Sequence, residues 1–222
     1  FPQAKYFSHC HDNMKQFALF SLKTLINRRQ LATYYERLYM FKRYEANGGN
    51  RFIVISKNSY NYYQHVLPQR LQQIFLLPNA INTARFNKPV EYTPMPRAAI
   101  QLVTIGQLDE NKNQRFLLEV VRRLKRDHPN VHLHILGDGN NRKRLAEKAL
   151  ALGISQQVTF HGIVPNVEEF LWNSDIYVHA ARSEAFGLVF VEAMAAGLPV
   201  VSLNGGGNRD IVNEGVNGFM QS

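Results

Sequence analysis

Cysteine is almost absent from this 222-residue chain, and the lone Cys10 excludes an intrachain disulfide framework. A single thiol fits a reducing compartment. No apolar run approaches the roughly 20 residues that a transmembrane helix needs. The opening "FPQAKYFSHCHD" has neither the basic-then-apolar order of a secretory signal nor an initiator Met. The chain is therefore expected to begin inside a longer protein. Internal repeats and low-complexity tracts are also missing, which excludes solenoid arrays. Acidic side chains are scarce in one half only. Residues 1–100 carry 14 basic and 4 acidic side chains, whereas residues 101–222 carry 12 and 13, so the formal charge of +9 resides entirely in the first part. That part also holds most of the tyrosines. It would attract an anionic lipid surface, an anionic ligand or nucleic acid, and it reads equally well as a solvated basic face. No zinc-finger spacing, RNA-binding sheet motif or Arg-rich tract supports nucleic acid, which is not expected as a partner.

What is present is enough apolar material for a real core: 45% of residues are hydrophobic, room for one large domain or one domain plus part of another. From Asn13 to about Glu45 the pattern is long and helical, and "EANGGN" stops it. "RFIVIS" reads as a short buried strand, followed by the polar, Tyr-rich "KNSYNYYQHVLP", and "IFLLPN" is another short apolar run. The three prolines of "FNKPVEYTPMPRAA" mark a linker near residues 86–98. Residues 1–90 are then the end of one domain, and residues 98–222 a second.

After the linker, strands and helices alternate. "IQLVTIG", "VHLHILG", "VTFHG", "IYVHAA" and "PVVSL" read as strands. "NQRFLLEVVRRLKRD", "NRKRLAEKALALG", "VEEFLWNS" and the stretch before Gly197 read as helices, and "NRDIVNEG" gives a helical turn before "GFM". This rhythm predicts an α/β fold, a Rossmann-like parallel sheet covered on both faces with right-handed connections. Ligands in such folds bind beyond the C-terminal ends of the strands. Candidate positions are therefore Gly106 and Gln107, Gly137 to Gly139, Gly162 to Pro165, Ala181 to Gly187, and Asn204 to Gly207.

"ILGDGN" lies between a strand and a helix, as a phosphate or nucleoside site requires, but it is neither a GxGxxG fingerprint nor a Walker A motif. A plain turn explains it as well, and the same holds for "SLNGGGNRD". In "SEAFGLVFVEAMAAG" a helix is expected from Phe186 or Gly187. Its unpaired amides at Ala185 to Leu188 form a ready seat for a phosphate. Glu184 stands just before the helix, and Glu192 lies inside it among Phe, Leu, Val, Met and Ala. A carboxylate there is costly unless hydrogen-bonded, and ribose hydroxyls are suitable donors; an exposed helix face is the alternative. Lys112, after the first strand, could complete a diphosphate clamp or be an ordinary surface lysine. His9, His11 and Asp12 are too few ligands for zinc. Most of His128, His132, His134, His161 and His179 should be structural.

These pieces, in order, resemble the retaining glycosyltransferases of family 4, with the two-domain GT-B fold. "IGQLDENKNQRFLLEV" resembles the family's first strand and nucleotide-clamping loop, and "HLHILGDGNNRKRL" the next strand and glycine turn. "VTFHGIVPNVEEFLWNSDIYVHAARSEAFGLVFVEAMAAGLPVVSLNGGGNRDIVNEGVNG" follows the rest of the pattern, including E-x7-E at Glu184 and Glu192. "VISKNSYNYYQHVLPQRLQQIFLLPNAINTARF" is similar to the end of the N-terminal domain. The resemblance implies a UDP- or GDP-type sugar donor used as co-substrate, with no cofactor and no metal. Lys112 would hold the diphosphate, and Phe186, Gly187 and Leu188 would offer amides. Glu184 would hold sugar hydroxyls and Glu192 the ribose. Gly106, Gln107, Gly137 and Gly139 would border the donor, and Gly162, Ile163 and Val164 would line the base. His11, or else His9, corresponds to the histidine facing the reacting sugar. Gln107 departs from the family, which has arginine there.

The expected acceptor is a glycan or lipid-linked hydroxyl in polysaccharide, lipopolysaccharide or glycolipid synthesis. The expected location is cytoplasmic, with peripheral contact to an anionic membrane at its inner face. Set beside this are a non-catalytic nucleotide-binding scaffold and, further off, a glycoside hydrolase. The chain is expected to lack the start of the N-terminal domain and the end of the C-terminal one.

Overall fold

The computed structural model describes residues 7–10, 31, 51–66, 68–89 and 99–221. They divide into two compact units, residues 1–78 and 79–222. The helix expected between Asn13 and Glu45 lies outside the described residues apart from Leu31.

The first unit contains a parallel sheet of β1 (Phe7–Cys10), β2 (Arg51–Val54) and β3 (Ile74–Leu76), in that order. Helix α1 (Lys57–Val66) forms in the polar, Tyr-rich segment for which no element was expected. Its start is capped by Ser56, whose Oγ accepts from Ser59 N at 3.1 Å. Its apolar content is aromatic: Tyr63 is fully buried, with its ring 6.0 Å from that of Phe52. Phe52, Val54, Ile74, Tyr63 and Cys10 form this unit's core.

The second unit begins at Asn79, ahead of the expected 86–98 linker. The reason is packing by α2 (Thr83–Phe86). Phe86 is buried in the second unit's core, its carbonyl accepts from Trp172 Nε1 at 2.7 Å, and Arg85 pairs with Glu168 at 2.8 Å. The sheet consists of β4 (Gln101–Ile105), β5 (His132–Leu136), β6 (Val158–Gly162), β7 (Ile176–His179), β8 (Val200–Leu203) and β9 (Gly218–Gln221). The order is β6-β5-β4-β7-β8-β9, and every pairing is parallel. Five of these strands match the expected ones. The sixth, β9, was expected only as the residues after a helical turn.

Two cores clad the sheet. On one face α3 (Gln114–Asp127) and α4 (Arg142–Ala151) cover Leu102, Leu133, Ile135 and Val158. Buried Leu117, Leu118 and Val121 recur at helical spacing on α3, and Lys125 and Arg126 complement the dipole in its last turn. On the other face α5 (Val167–Trp172) and α6 (Leu188–Ala195) pack over Val103, Leu136, Tyr177 and Val200. Helix α6 is apolar nearly all round, as a buried helix should be. Complete burial of Phe190 alone stabilises by roughly 2–3 kcal/mol. Three histidines fall on the α5 face of β5 and β6 and bond to neighbours. His132 reaches Thr159 Oγ1 at 2.8 Å, and His134 bridges His161 at 2.9 Å and Gln101 at 2.8 Å. These bonds tie neighbouring strands together.

Candidate active site

The strand order reverses between β4 and β7, so the loops leaving these two central strands diverge to opposite sides and open a crevice. Backbone and side-chain bonds tie the loops together at its mouth. Arg182 N donates to Asn111 O at 2.8 Å, and Asn111 Nδ2 donates to Ser183 O at 2.9 Å. The loop after β4 is shaped from within. Asp109 Oδ1 accepts from Lys112 N at 2.8 Å, Gln107 O accepts from Gln114 Nε2 at 2.8 Å, and Asn113 adopts φ 52° to enter α3. Lys112 is thereby laid over Gly106, where an added Cβ would lie 3.5 Å from its Cδ.

Glu184 is positioned from the opposite side by the triple-glycine loop after β8. Its N donates to Gly205 O at 2.6 Å, and its carbonyl accepts from Gly207 N at 2.9 Å. A Cβ on Gly207 would meet Ala185 O at 2.4 Å, so only glycine allows this approach. The loop read as a ligand cradle or a turn thus holds the segment in front of α6.

Lys112 Nζ pairs with Glu184 Oε1, and His179 Nε2 lies 2.8 Å from the same oxygen. The lysine side chain is 23% exposed and the glutamate 11%. Burial raises the Glu184 carboxyl, but hydrogen bonds from His179 and Lys112 together with the charge of Lys112 outweigh it and hold the group below the usual carboxylate range. The site therefore holds one partly exposed cation against one ionised carboxylate.

Helix α6 starts beside them at Leu188, with Gly187 at its N-cap in the left-handed region (φ 94°). The amides of Ala185, Phe186, Gly187 and Leu188 donate to nothing among the described residues. Helix N-termini of this kind attract anions. Phe186 is buried, so only its backbone can serve a ligand, whereas the Leu188 side chain is exposed. About one turn on, Glu192 is half-buried, and burial raises its carboxyl above the ordinary range against the pull of Arg85. Its carboxylate has no hydrogen bond or ion pair among the described residues.

The other expected positions fall as follows. Gly137 and Gly139 are required by packing of one loop on another: a Cβ would come within 2.1 Å of Gly106 O at the first and 2.5 Å of Leu108 O at the second. Gly162 ends β6, Ile163 is 86% exposed, and Val164 is partly buried against the α5 face. Gln107 is exposed. His9 lies in β1, exposed, in the first unit, and His11 lies outside the described residues. Among the described residues no group of three or more His, Cys, Asp or Glu could hold a metal ion, and no helix is long and apolar enough to cross a membrane. Sequence reasoning grouped His179 with histidines of which most were expected to be structural. The signal that could have found it is "YVH", two polar-tipped side chains on the same face of a buried strand, five residues ahead of the glutamate.

The parallel Rossmann-like sheet thus brings a cation, a carboxylate and a helix N-terminus together at its switch point. The chain belongs to the family described as glycosyl transferases group 1, whose model matches residues 94–221. It is 33% identical over 141 residues to the lipopolysaccharide core biosynthesis glycosyltransferase LpsE of Rhizobium meliloti, covering 64% of this chain and 38% of that protein. It is 30% identical over 145 residues to the phosphatidylinositol N-acetylglucosaminyltransferase GPI3 subunit of Saccharomyces cerevisiae, covering 63% and 32%. Among solved structures it is similar to WaaG, a glycosyltransferase involved in lipopolysaccharide biosynthesis, with a TM-score of 0.80 at 20% identity over 98% of this chain and 61% of that one. It is also similar to HepE of Anabaena in complex with UDP-glucose, with a TM-score of 0.76 at 20% identity over 98% and 58%. Two parallel sheets flanked by helices are the GT-B architecture of these structures, as the sequence led one to expect. The chain spans about a third of the length of the curated relatives it matches.

Proposed function

We propose that the protein is a retaining glycosyltransferase of the family 4 type. It moves a sugar from a UDP- or GDP-linked donor to a hydroxyl of a glycan or lipid-linked acceptor in cell-surface polysaccharide, lipopolysaccharide or glycolipid synthesis. One observation carries the reading: Lys112, Glu184 and the open amides of α6 converge at the β4/β7 switch point. Family membership and the likeness to a UDP-glucose-bound structure support it.

On this reading Lys112 leaves Glu184 for the donor diphosphate, and the amides of Phe186, Gly187 and Leu188 share its charge. Glu184, freed on one side, accepts from hydroxyls of the transferred sugar, and Glu192 accepts from the ribose. Gly162, Ile163 and Val164 line the base, while Gly106, Gln107, Gly137 and Gly139 border the donor. His11 or His9 faces the reacting sugar. The acceptor oxygen attacks the anomeric carbon on the face from which the diphosphate departs. The new C–O bond forms as the C–O bond to phosphate breaks, and the acceptor proton passes to the departing phosphate oxygen. The protein's contribution is electrostatic: Lys112 and the helix N-terminus stabilise charge growing on the leaving group. The basic first part would hold the enzyme at the inner face of an anionic membrane.

Gln107 favours a second reading. A glutamine cannot neutralise phosphate charge as the bidentate guanidinium of arginine does, which suits a chain that binds nucleotide without transferring sugar. The test is calorimetry of UDP, GDP and their sugars, followed by assay of the full-length protein carrying this chain. Release of free nucleoside diphosphate with a product that keeps the donor's anomeric configuration is expected. Binding without release would favour the scaffold, and absence of nucleotide binding would refute both.

A further inference from the structure

Strand β7 carries two polar-tipped side chains on its α6 face, Tyr177 and His179, at 0% and 3% exposure. Phe190 closes over both, edge to face, at 5.9 and 4.8 Å between ring centroids. Polar groups this deep are costly unless bonded, and these are bonded in series. The Tyr177 hydroxyl lies 3.1 Å from His179 Nδ1, and His179 Nε2 lies 2.8 Å from Glu184 Oε1. A carboxylate only accepts, so Nε2 carries the hydrogen. In the neutral ring Nδ1 is then the acceptor, and the tyrosine hydroxyl, which also has Ile105 O at 3.5 Å, donates to the nearer Nδ1. Burial pushes the Tyr177 phenol well above its usual range, so the hydroxyl keeps that proton.

Two groups therefore hold Glu184 Oε1, and they are not equivalent. Lys112 ends a flexible, partly exposed stem and can leave, whereas His179 is locked in the core between Tyr177 and Phe190. The other oxygen, Oε2, has no partner among the described residues.

We propose that His179, its tautomer set by Tyr177, is a positioning residue that keeps Glu184 aimed when Lys112 moves to a diphosphate, so that Oε2 is presented to a hydroxyl of the donor sugar. This rests on the reading of Glu184 as the sugar contact. It makes a distinctive demand: His179 matters for the sugar and not for the nucleotide.

The first test is independent of any ligand. Long-range 1H–15N correlation spectra should show His179 as the Nε2–H tautomer; an Nδ1–H tautomer would overturn the relay. The second is calorimetry with UDP and with UDP-glucose. His179→Leu should lose about tenfold on UDP-glucose, the worth of one charge-assisted hydrogen bond, and stay within about twofold on UDP. His179→Gln, whose amide can donate to Glu184, should recover most of the loss. Should the leucine variant fail to fold, Tyr177→Phe carries the comparison, with about a threefold loss confined to UDP-glucose. Equal losses on both ligands, or an unchanged ratio between them, overturns the role while leaving the nucleotide-sugar reading intact. A wild type that binds neither ligand overturns that reading and this role with it.

Discussion

Replacing Glu192 with Gln should make the free protein more stable and its nucleotide complex weaker. The carboxylate sits in an apolar helix, half-buried and with no hydrogen bond or ion pair among the described residues. Arg85, the cation that attracts it, is already bonded to Glu168 and to Pro165 O. Burial raises the folded-state pKa above the unfolded value of about 4.3. The folded state thus holds the proton more tightly, which stabilises it below about pH 4.3, and this contribution is lost as the pH rises through the raised folded value. At pH 7 the ionised group is a net cost. A fully buried, unpaired charge would cost several kcal/mol, and with roughly half the group solvated about 0.5–1 kcal/mol remains. In a chain of this size that is a rise in Tm of about 1–3 °C for Glu192→Gln at pH 7, closing near pH 4. If the ribose supplies the missing donors, the same variant loses a charge-assisted bond and about 10- to 100-fold in UDP affinity. Urea denaturation at the two pH values and calorimetry with UDP measure both effects. A variant less stable than wild type at pH 7, or one that keeps UDP affinity within twofold, would refute the reasoning.

Lys112→Met should cost about 1–2 kcal/mol at pH 7, since it removes a partly screened, charge-assisted bond from Glu184. The Glu184 carboxyl is depressed, so its contribution exists above the unfolded value of about 4.3 and fades as the pH falls through the folded one. The penalty should shrink in acid, and denaturation showing equal penalties at pH 7 and pH 3 would count against the pair. In the full-length protein the same change should cost more in turnover than in folding, and an unchanged kcat would sink the clamp. Gly207→Ala forces a Cβ against Ala185 O and should cost about 1–3 kcal/mol. Because that contact sets the segment before α6, donor affinity should fall with it, as thermal denaturation and calorimetry would show.

Much of the second unit was legible in advance because its signals are local. Strands β4 to β8 announce themselves as short β-branched runs, and α3 shows its apolar stripe and basic last turn. Two elements escaped. Helix α1 is tyrosine-rich and polar by composition, and it is held by packing of Tyr63 on Phe52, a contact that no periodicity encodes. Strand β9 is four residues long and gains strand geometry only by pairing with β8. The unit boundary shifted for a similar reason: prolines mark where regular structure stops, but Phe86 and Trp172 decide which core the preceding turn joins.

For the candidate site the division is sharper. The sequence by itself determined the α/β alternation, the helix start that can seat an anion, and the pair of glutamates, one ahead of that helix and one inside it, since each depends on residues close in the chain. Only the tertiary structure decided that Lys112 and Glu184 form a pair across 72 positions, because β4 and β7 become neighbours where the strand order reverses. It also decided that His179 is more than core filling and that the glycines after β8 hold the glutamate's backbone. Such contacts depend on strand neighbours and loop approach, which arise from the burial of a whole sheet rather than from any short stretch of chain.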